Sequence, residues 1–341
     1  MSELLLVRQR RGHHDGAPWI VDGGRRVRGH DHNERLAELE AGLRRHPDVR
    51  TLNADADDAR VERVLAELHE PGYLRTLRAV RTTEPVLIPE LAPPGMEVDI
   101  PVGTALVAAA REGVRTAISA ARHVAAGARS SYALCRPPGH HAGPGWLAGY
   151  CYLNTAAAAV QTLREAGAGP VGVLDLDLHY PNGTAAIVQR MPDVWLDSLH
   201  AWPVTNCPGQ TAQAHTPRER LVEFGEAPCE EQYLTAVAAS LAALARSVAV
   251  LVLSLGYDTV RGDPHGSWSL SPAVFAQIGR LVAATGLPVC VVQEGGYDLG
   301  TLAECGHAFA DGLLAGGVAA YRSPGRVGVD AGEAPVRELA A

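Results

Sequence analysis

The stretch LDLDLHYPNGT, Leu174 to Thr184, follows the apolar run GPVGVL and sets Asp175, Asp177 and His179 at every second position. In an extended strand alternate side chains share a face, so two carboxylates and an imidazole would line one side while Leu174, Leu176 and Leu178 line the other. Such a face is either the wet side of a half-exposed strand or a metal site. Asp and His supply the oxygen and nitrogen ligands that a divalent ion accepts, and a buried carboxylate pair needs a cation to offset its desolvation.

Outward from this stretch, short apolar runs recur: ELLLV, SYALC, DVWLDSLH, VAVLVLSLG and LPVCVVQEG. Between them lie Ala-rich segments with helical character at 104–126, 155–165, 231–246 and 272–284. Continuous apolar strands alternating with helices predict an α/β fold, a central parallel sheet covered by helices on both faces. No repeat or Gly/Ser/Pro-rich linker divides the chain. Residues 1–322 are therefore expected to form one catalytic domain, and 323–341, which lack apolar periodicity, a loosely ordered tail.

Each apolar run is followed by a polar cluster. SYALC leads into RPPGHHAGPGW, VGVL into the aspartates and His179, VWLD into SLH, VLVLSLG into YDTVRGDP, and VCVVQ into EGGYDLG. Ligand sites of open parallel sheets lie beyond the carboxyl ends of the strands, so these clusters converge on one edge. That convergence favours the metal reading of the opening stretch. His140 and His141 then read as an acid/base pair rather than surface loop residues. Asp258, otherwise a turn former, completes a ligand set with Asp177 and His179, and three protein ligands leave a coordination position open for catalysis. Tyr297, behind a glycine pair, either packs or donates to a developing oxyanion. Asn154 reads as a helix cap, and Tyr150 as one wall of a substrate channel.

Composition narrows the function. The 341 residues carry 30 Lys+Arg against 38 Asp+Glu, a net charge of −8 that argues against a nucleic-acid surface as the main role. The six cysteines form no C-x-x-C pair, so neither a zinc knuckle nor a disulfide framework is indicated, and a cytoplasmic setting is expected. No segment has the length and apolarity of a membrane span.

RPPGHHAG, GYCYLN, VLDLDLHYPNGT, SLGYDTVRGDP and EGGYDLG, in this order and spacing, resemble the histone deacetylase superfamily, most nearly its bacterial acetylpolyamine amidohydrolase branch. The similarity runs from RLAELEAGL and LHEPGYLRTL to about residue 315. It implies an arginase-like α/β fold and a zinc ion held by Asp177, His179 and Asp258, although this ligand set also accepts ferrous iron. It implies His141 as general base and acid, His140 as its electrostatic partner oriented by Asp175, Asn182 as the polar partner of His141, and Tyr297 as oxyanion donor. It further implies a structural potassium ion near Asp175, Asp177, His179, Ser198 and Leu199. Tyr150, Cys207, Glu97, Gly149 and Gly295 would bound the substrate site. The implied partner is a small acylated amine, and a homodimer is compatible with the branch.

The chain departs from that pattern in three places. HYPNGT replaces the usual HHGNGT, so Tyr180 and Pro181 stand for a histidine and a glycine, and proline restricts the loop after His179. Cys207 falls where the family commonly has a second aromatic wall. Arg25, Arg26 and Arg28 occupy a region that is acidic in polyamine enzymes and would repel a polycation if they faced the mouth. The expected function is deacylation of an N-acylated small amine, an acetylpolyamine or a biosynthetic intermediate. The alternatives are a protein acetyl-lysine deacetylase, a binuclear manganese ureohydrolase, for which DLDLHYP and GYDTVRGDP lack extra carboxylates, and a non-catalytic binding protein.

Overall fold

The computed structural model describes residues 3–9, 17–202 and 216–315. Among them the strands are, in chain order, β1 (Leu4–Arg8), β2 (Trp19–Asp22), β3 (Arg25–Arg28), β4 (Val49–Asn53), β5 (Ser130–Leu134), β6 (Val171–Asp175), β7 (Val194–Ala201), β8 (Glu219–Phe224), β9 (Val250–Leu255) and β10 (Val289–Gln293). Eight form one parallel sheet in the order β4-β1-β5-β10-β9-β6-β7-β8, and β2 and β3 make a separate antiparallel hairpin. The expected α/β architecture is the observed one.

Burial explains which strands the sequence announced. The central strands β5, β6, β9 and β10 are buried throughout and read as continuous apolar runs. The edge strands β4 and β8 are only partly buried, and their sequences VRTLN and ERLVEF carry no such run.

Two apolar layers enclose the sheet. One face packs Val7, Ala133, Val173 and Val252 against helices Thr104–Ala125 and Thr155–Glu165. The other packs Leu4, Leu6, Leu174 and Leu253 against helices Asn33–Leu43, Glu230–Leu244, Val274–Ala284 and Leu302–Leu314. Alternation along β1, with Leu4 and Leu6 to one layer and Val7 to the other, follows from the pleat. Helix Thr155–Glu165 starts where expected because Asn154 Oδ1 accepts a hydrogen bond from Ala157 N at 2.8 Å.

One expectation needs correction. Pleat alternation predicts a strand running through Asp175, Asp177 and His179, but β6 ends at Asp175. Asp175 Oδ1 accepts from Asp177 N at 3.1 Å, and Asp177 Oδ1 accepts from His179 N at 3.0 Å. These successive side-chain to backbone turns compete with strand pairing and bend the chain, so the residues converge through a loop rather than a pleat. Cys207 and the tail 323–341 lie outside the described residues. No helix among the described residues is long and apolar enough to cross a membrane.

Candidate active site

Beyond the carboxyl ends of β6 and β9, ligand atoms of Asp177, His179 and Asp258 lie within 4.8 Å of one another. His179 Nδ1 is 3.1 Å from both Asp177 Oδ1 and Asp258 Oδ2. The remaining carboxylate oxygens are held from behind: Gly295 N donates to Asp177 Oδ2 at 2.8 Å, and Leu178 N donates to Asp258 Oδ1 at 3.0 Å. Glycine is required close by, because a Cβ on Gly295 would come within 2.6 Å of oxygens on both aspartates, and one on Gly256 within 2.3 Å of Asp177.

The electrostatics are those of a cation site. Burial, reinforced by the neighbouring Asp177, pushes the Asp258 carboxyl up to about 7. Burial also works against a charged His179, but hydrogen bonds and attraction from Asp177 and Asp258 outweigh it and raise the imidazole to about 10. Two buried carboxylates thus draw positive charge to the point between them, and the nitrogen and oxygen donors fit a divalent ion such as zinc.

Two histidines stand beside this set, their rings 4.1 Å apart. His140 Nδ1 lies 3.3 Å from Asp175 Oδ2. Burial disfavours its charged form, yet Asp177 and Asp175 together outweigh it and raise the imidazole to about 10. His141 is the opposite case: burial first, then His140 and His179, push it well below the usual histidine value. Its Nδ1 lies 2.6 Å from Asn182 Oδ1. A second buried group, His140 with Cys151 and Glu294, also has potential ligand atoms in proximity, but Glu294 accepts from Gly139 N, His140 N and Ser254 Oγ and serves as a backbone anchor.

Tyr297 is buried, which keeps its phenol well above its ordinary value and therefore protonated. Its ring lies beside Tyr150 at 5.4 Å and His265 at 4.8 Å, with the Arg35 guanidinium 4.3 Å from the ring centroid. Gly149 closes the opposite wall: a Cβ there would sit 2.5 Å from His141 Cδ2, and both Gly149 and Tyr150 hold left-handed φ values, 52° and 68°. For Tyr150 this conformation is costly and must be enforced by its surroundings.

The sequence-predicted residues Asp175, Asp177, His179, Asp258, His140, His141, Asn182, Gly149, Tyr150, Gly295 and Tyr297 thus share one cluster. Asp175 pairs in register with Ser198, which precedes Leu199 on β7. Pro181 adopts φ −78° at the start of the short helix Asn182–Val188, and Asn182 still reaches His141. Tyr180 is buried with its ring 5.1 Å from His200. Glu97 is exposed; the acidic side chain that reaches Gly149 is Asp99, whose Oδ2 accepts from Gly149 N at 2.9 Å.

Sequence reading missed several supporting residues. Arg35 donates to Gly296 O at 2.6 Å, Glu294 O at 2.7 Å and Asp31 Oδ1 at 2.5 Å, clamping the turn before Tyr297. Asp263 accepts from Tyr297 N, Asp298 N and His265 N, joining two site loops. His69 bridges Gly143 O and Asn154 N, fastening the loop that carries His140 and His141. An arginine on a helix, or a histidine just after one, carries no local mark of such a long-range role.

Comparison with known proteins is consistent with this geometry. Residues 30–313 match the histone deacetylase domain model. The chain is 36% identical over 239 residues to acetylpolyamine amidohydrolase 1 of Pseudomonas aeruginosa, covering 67% of each chain. It is 38% identical over 199 residues to an acetylpolyamine amidohydrolase of Mycoplana ramosa, covering 55% of this chain and 58% of that protein. The crystal structure of an acetylpolyamine aminohydrolase from Burkholderia pseudomallei superposes with a TM-score of 0.78 at 28% identity, over 91% of this chain and 98% of the other.

Proposed function

The chain belongs to the histone deacetylase family, and within it we propose a zinc-dependent amidohydrolase that removes an acetyl or other short acyl group from an N-acylated small amine. The observation that carries this reading is the approach of His179 Nδ1 to within 3.1 Å of one oxygen on each of two buried aspartates. Zinc bound there would polarise the acyl carbonyl and lower the pKa of a water molecule toward neutrality. Ferrous iron would suit the same donors.

The protein's own groups supply the rest. His141 is held neutral and donates through Nδ1 to Asn182 Oδ1, which leaves Nε2 as the basic nitrogen. In the proposed cycle Nε2 takes a proton from the attacking water and returns it to the departing amine. The Tyr297 hydroxyl, kept protonated by burial, donates to the oxygen of the tetrahedral intermediate. His140, paired with Asp175, adds positive charge near that developing anion when its imidazole is protonated. A structural potassium ion would lie by Asp175, Asp177, His179, Ser198 and Leu199, where β6 and β7 meet in register.

The substrate class follows the named relatives, described as acetylpolyamine amidohydrolases. The test is hydrolysis of acetylputrescine, acetylspermidine, an acetyl-lysine peptide and an aromatic acetamide by zinc-loaded protein. Release of acetate from at least one small amide, abolished by chelation and restored by zinc, is expected; turnover of the peptide alone would overturn the small-amine reading.

A further inference from the structure

The hairpin β2–β3 ends two residues before His30, and His30 begins a polar chain across the top of the site. His30 N donates to Tyr150 Oη at 3.0 Å, and Tyr150 Oη lies 3.0 Å from His265 Nε2. The His265 ring stands edge-on to His30 at 5.1 Å, Tyr150 at 5.5 Å and Tyr297 at 4.8 Å. Tyr150 and Tyr297 are buried, whereas His30 and His265 are only half-buried, so the histidines form the outer layer of this wall.

Burial and hydrogen bonding together favour one tautomer of His265. Tyr150 Oη already accepts from the His30 amide, and either tautomer leaves one donor without a protein partner; sending the phenolic hydrogen of buried Tyr150 to His265 Nε2 places that donor on the half-buried imidazole, where water reaches it, instead of stranding it on the buried phenol. That nitrogen is then an acceptor, and the imidazole proton resides on Nδ1. Burial above all pushes His265 down to about 3, consistent with a neutral ring. Nδ1 makes no hydrogen bond among the described residues and is not one of their buried unpartnered atoms, so it reaches solvent.

We propose that His265 determines specificity in this chain: fixed by Tyr150 with its proton on Nδ1, it presents a hydrogen-bond donor at the channel mouth. This donor selects N-acylated amines that carry a carboxylate or carbonyl oxygen beyond their methylene stem over those ending in a further ammonium. The proposal rests on the amidohydrolase reading of the site beneath it.

Charge at the rim acts in the same direction. Arg28 lies close enough to His30 to help hold that imidazole below its usual value, after burial and His32. Arg25, Arg26 and Arg28 are exposed on β3, with Arg26 anchored over Trp19 at 4.1 Å. The positive charge of Arg28 beside His30 repels a polyamine tail and attracts an anionic one. The acidic group nearest the Gly149 wall, Asp99, is raised by burial to about 6 and spends one oxygen on Gly149 N, so it opposes this bias weakly.

The test uses zinc-loaded full-length protein and three acetamides of matched length: 5-acetamidopentanoate, N-acetylputrescine and N-acetylpentylamine. The expected kcat/KM for the carboxylate exceeds that for acetylputrescine by about tenfold or more, chiefly through KM. His265→Leu should collapse this ratio by about tenfold, and Tyr150→Phe, which releases the tautomer, should reduce it partly. The ¹⁵N shifts of the His265 ring should report a proton on Nδ1 and a bare Nε2; a proton on Nε2 would overturn the proposal. So would a preference for acetylputrescine, or an identical ratio in wild type and His265→Leu, with the amidohydrolase reading left intact. Failure to hydrolyse any of the three would instead remove that reading, and this proposal with it.

Discussion

His141 Nδ1 and Asn182 Oδ1 are 2.6 Å apart in the buried centre of the site. An amide oxygen in that place accepts a hydrogen bond without adding charge, so it selects the tautomer of His141 and leaves its basicity low. Asn182→Asp supplies a full negative charge at the same atom and should favour the imidazolium. The acid limb of the kcat/KM profile, set in wild type by a histidine held well below its ordinary value, should then move upward by about one unit or more. A pH-rate profile of the two proteins checks this; superimposable acid limbs would remove His141 from the role of base.

The aspartates of the metal set depend on glycine backbone as much as on each other. A methyl group at Gly295 would meet an oxygen of Asp177 and of Asp258 at 2.6 Å, while removing the Gly295 N–H is not involved. Gly295→Ala should therefore lower bound divalent metal from one per chain, as Asp258→Ala should, while far-UV circular dichroism stays native. Elemental analysis decides it: full metal in Asp258→Ala would refute the ligand set, and two ions per wild-type chain would favour the binuclear alternative.

Most of the fold and the chemical centre were legible in the sequence because both are local. Buried parallel strands must be continuously apolar, and the loops after them carry ligands a few residues apart, so VGVL with DLDLH and VLVLSLG with YD announce themselves. The edge strands β4 and β8 escaped notice since half their side chains meet solvent. The convergence of Asp177 and His179 was anticipated, but through pleat alternation, whereas side-chain turns produce it. Arg35, His69, Asp99 and Asp263 were invisible for a different reason. Each reaches a partner 34 or more residues away, and nothing in the surrounding composition encodes that distance.

His69 couples the site to acid stability. It is buried between Gly143 O, which accepts from its Nδ1, and Asn154 N, which donates to its Nε2. Burial lowers its folded pKa to about 4, against about 6.5 in an unfolded chain. Between those values the unfolded state binds more protons, so the contribution of His69 is complete above pH 6.5 and is lost as pH falls toward 4. Its size is at most on the order of 3 kcal/mol. Denaturant unfolding of wild type and His69→Gln across this window should show a shallower loss in the variant; parallel curves would mean that His69 does not titrate on unfolding.

Tyr297→Phe isolates a single hydroxyl. The ring keeps its neighbours Tyr150, His265 and Arg35, and the backbone keeps its bond to Asp263, so neither packing nor the turn after Gly296 has reason to change. The metal ligands come from other loops, and metal content should remain at the wild-type level. What disappears is a donor whose interaction strengthens as charge builds on the acyl oxygen, typically worth about 3 kcal/mol. Turnover should therefore fall by about 10²-fold or more in kcat with little change in KM, because a contact made mainly in the transition state does not weaken ground-state binding. Unchanged kcat at full metal occupancy would make Tyr297 a packing residue and leave oxyanion stabilisation to the metal alone. A matching rise in KM would show instead that the hydroxyl binds the substrate carbonyl before the reaction begins.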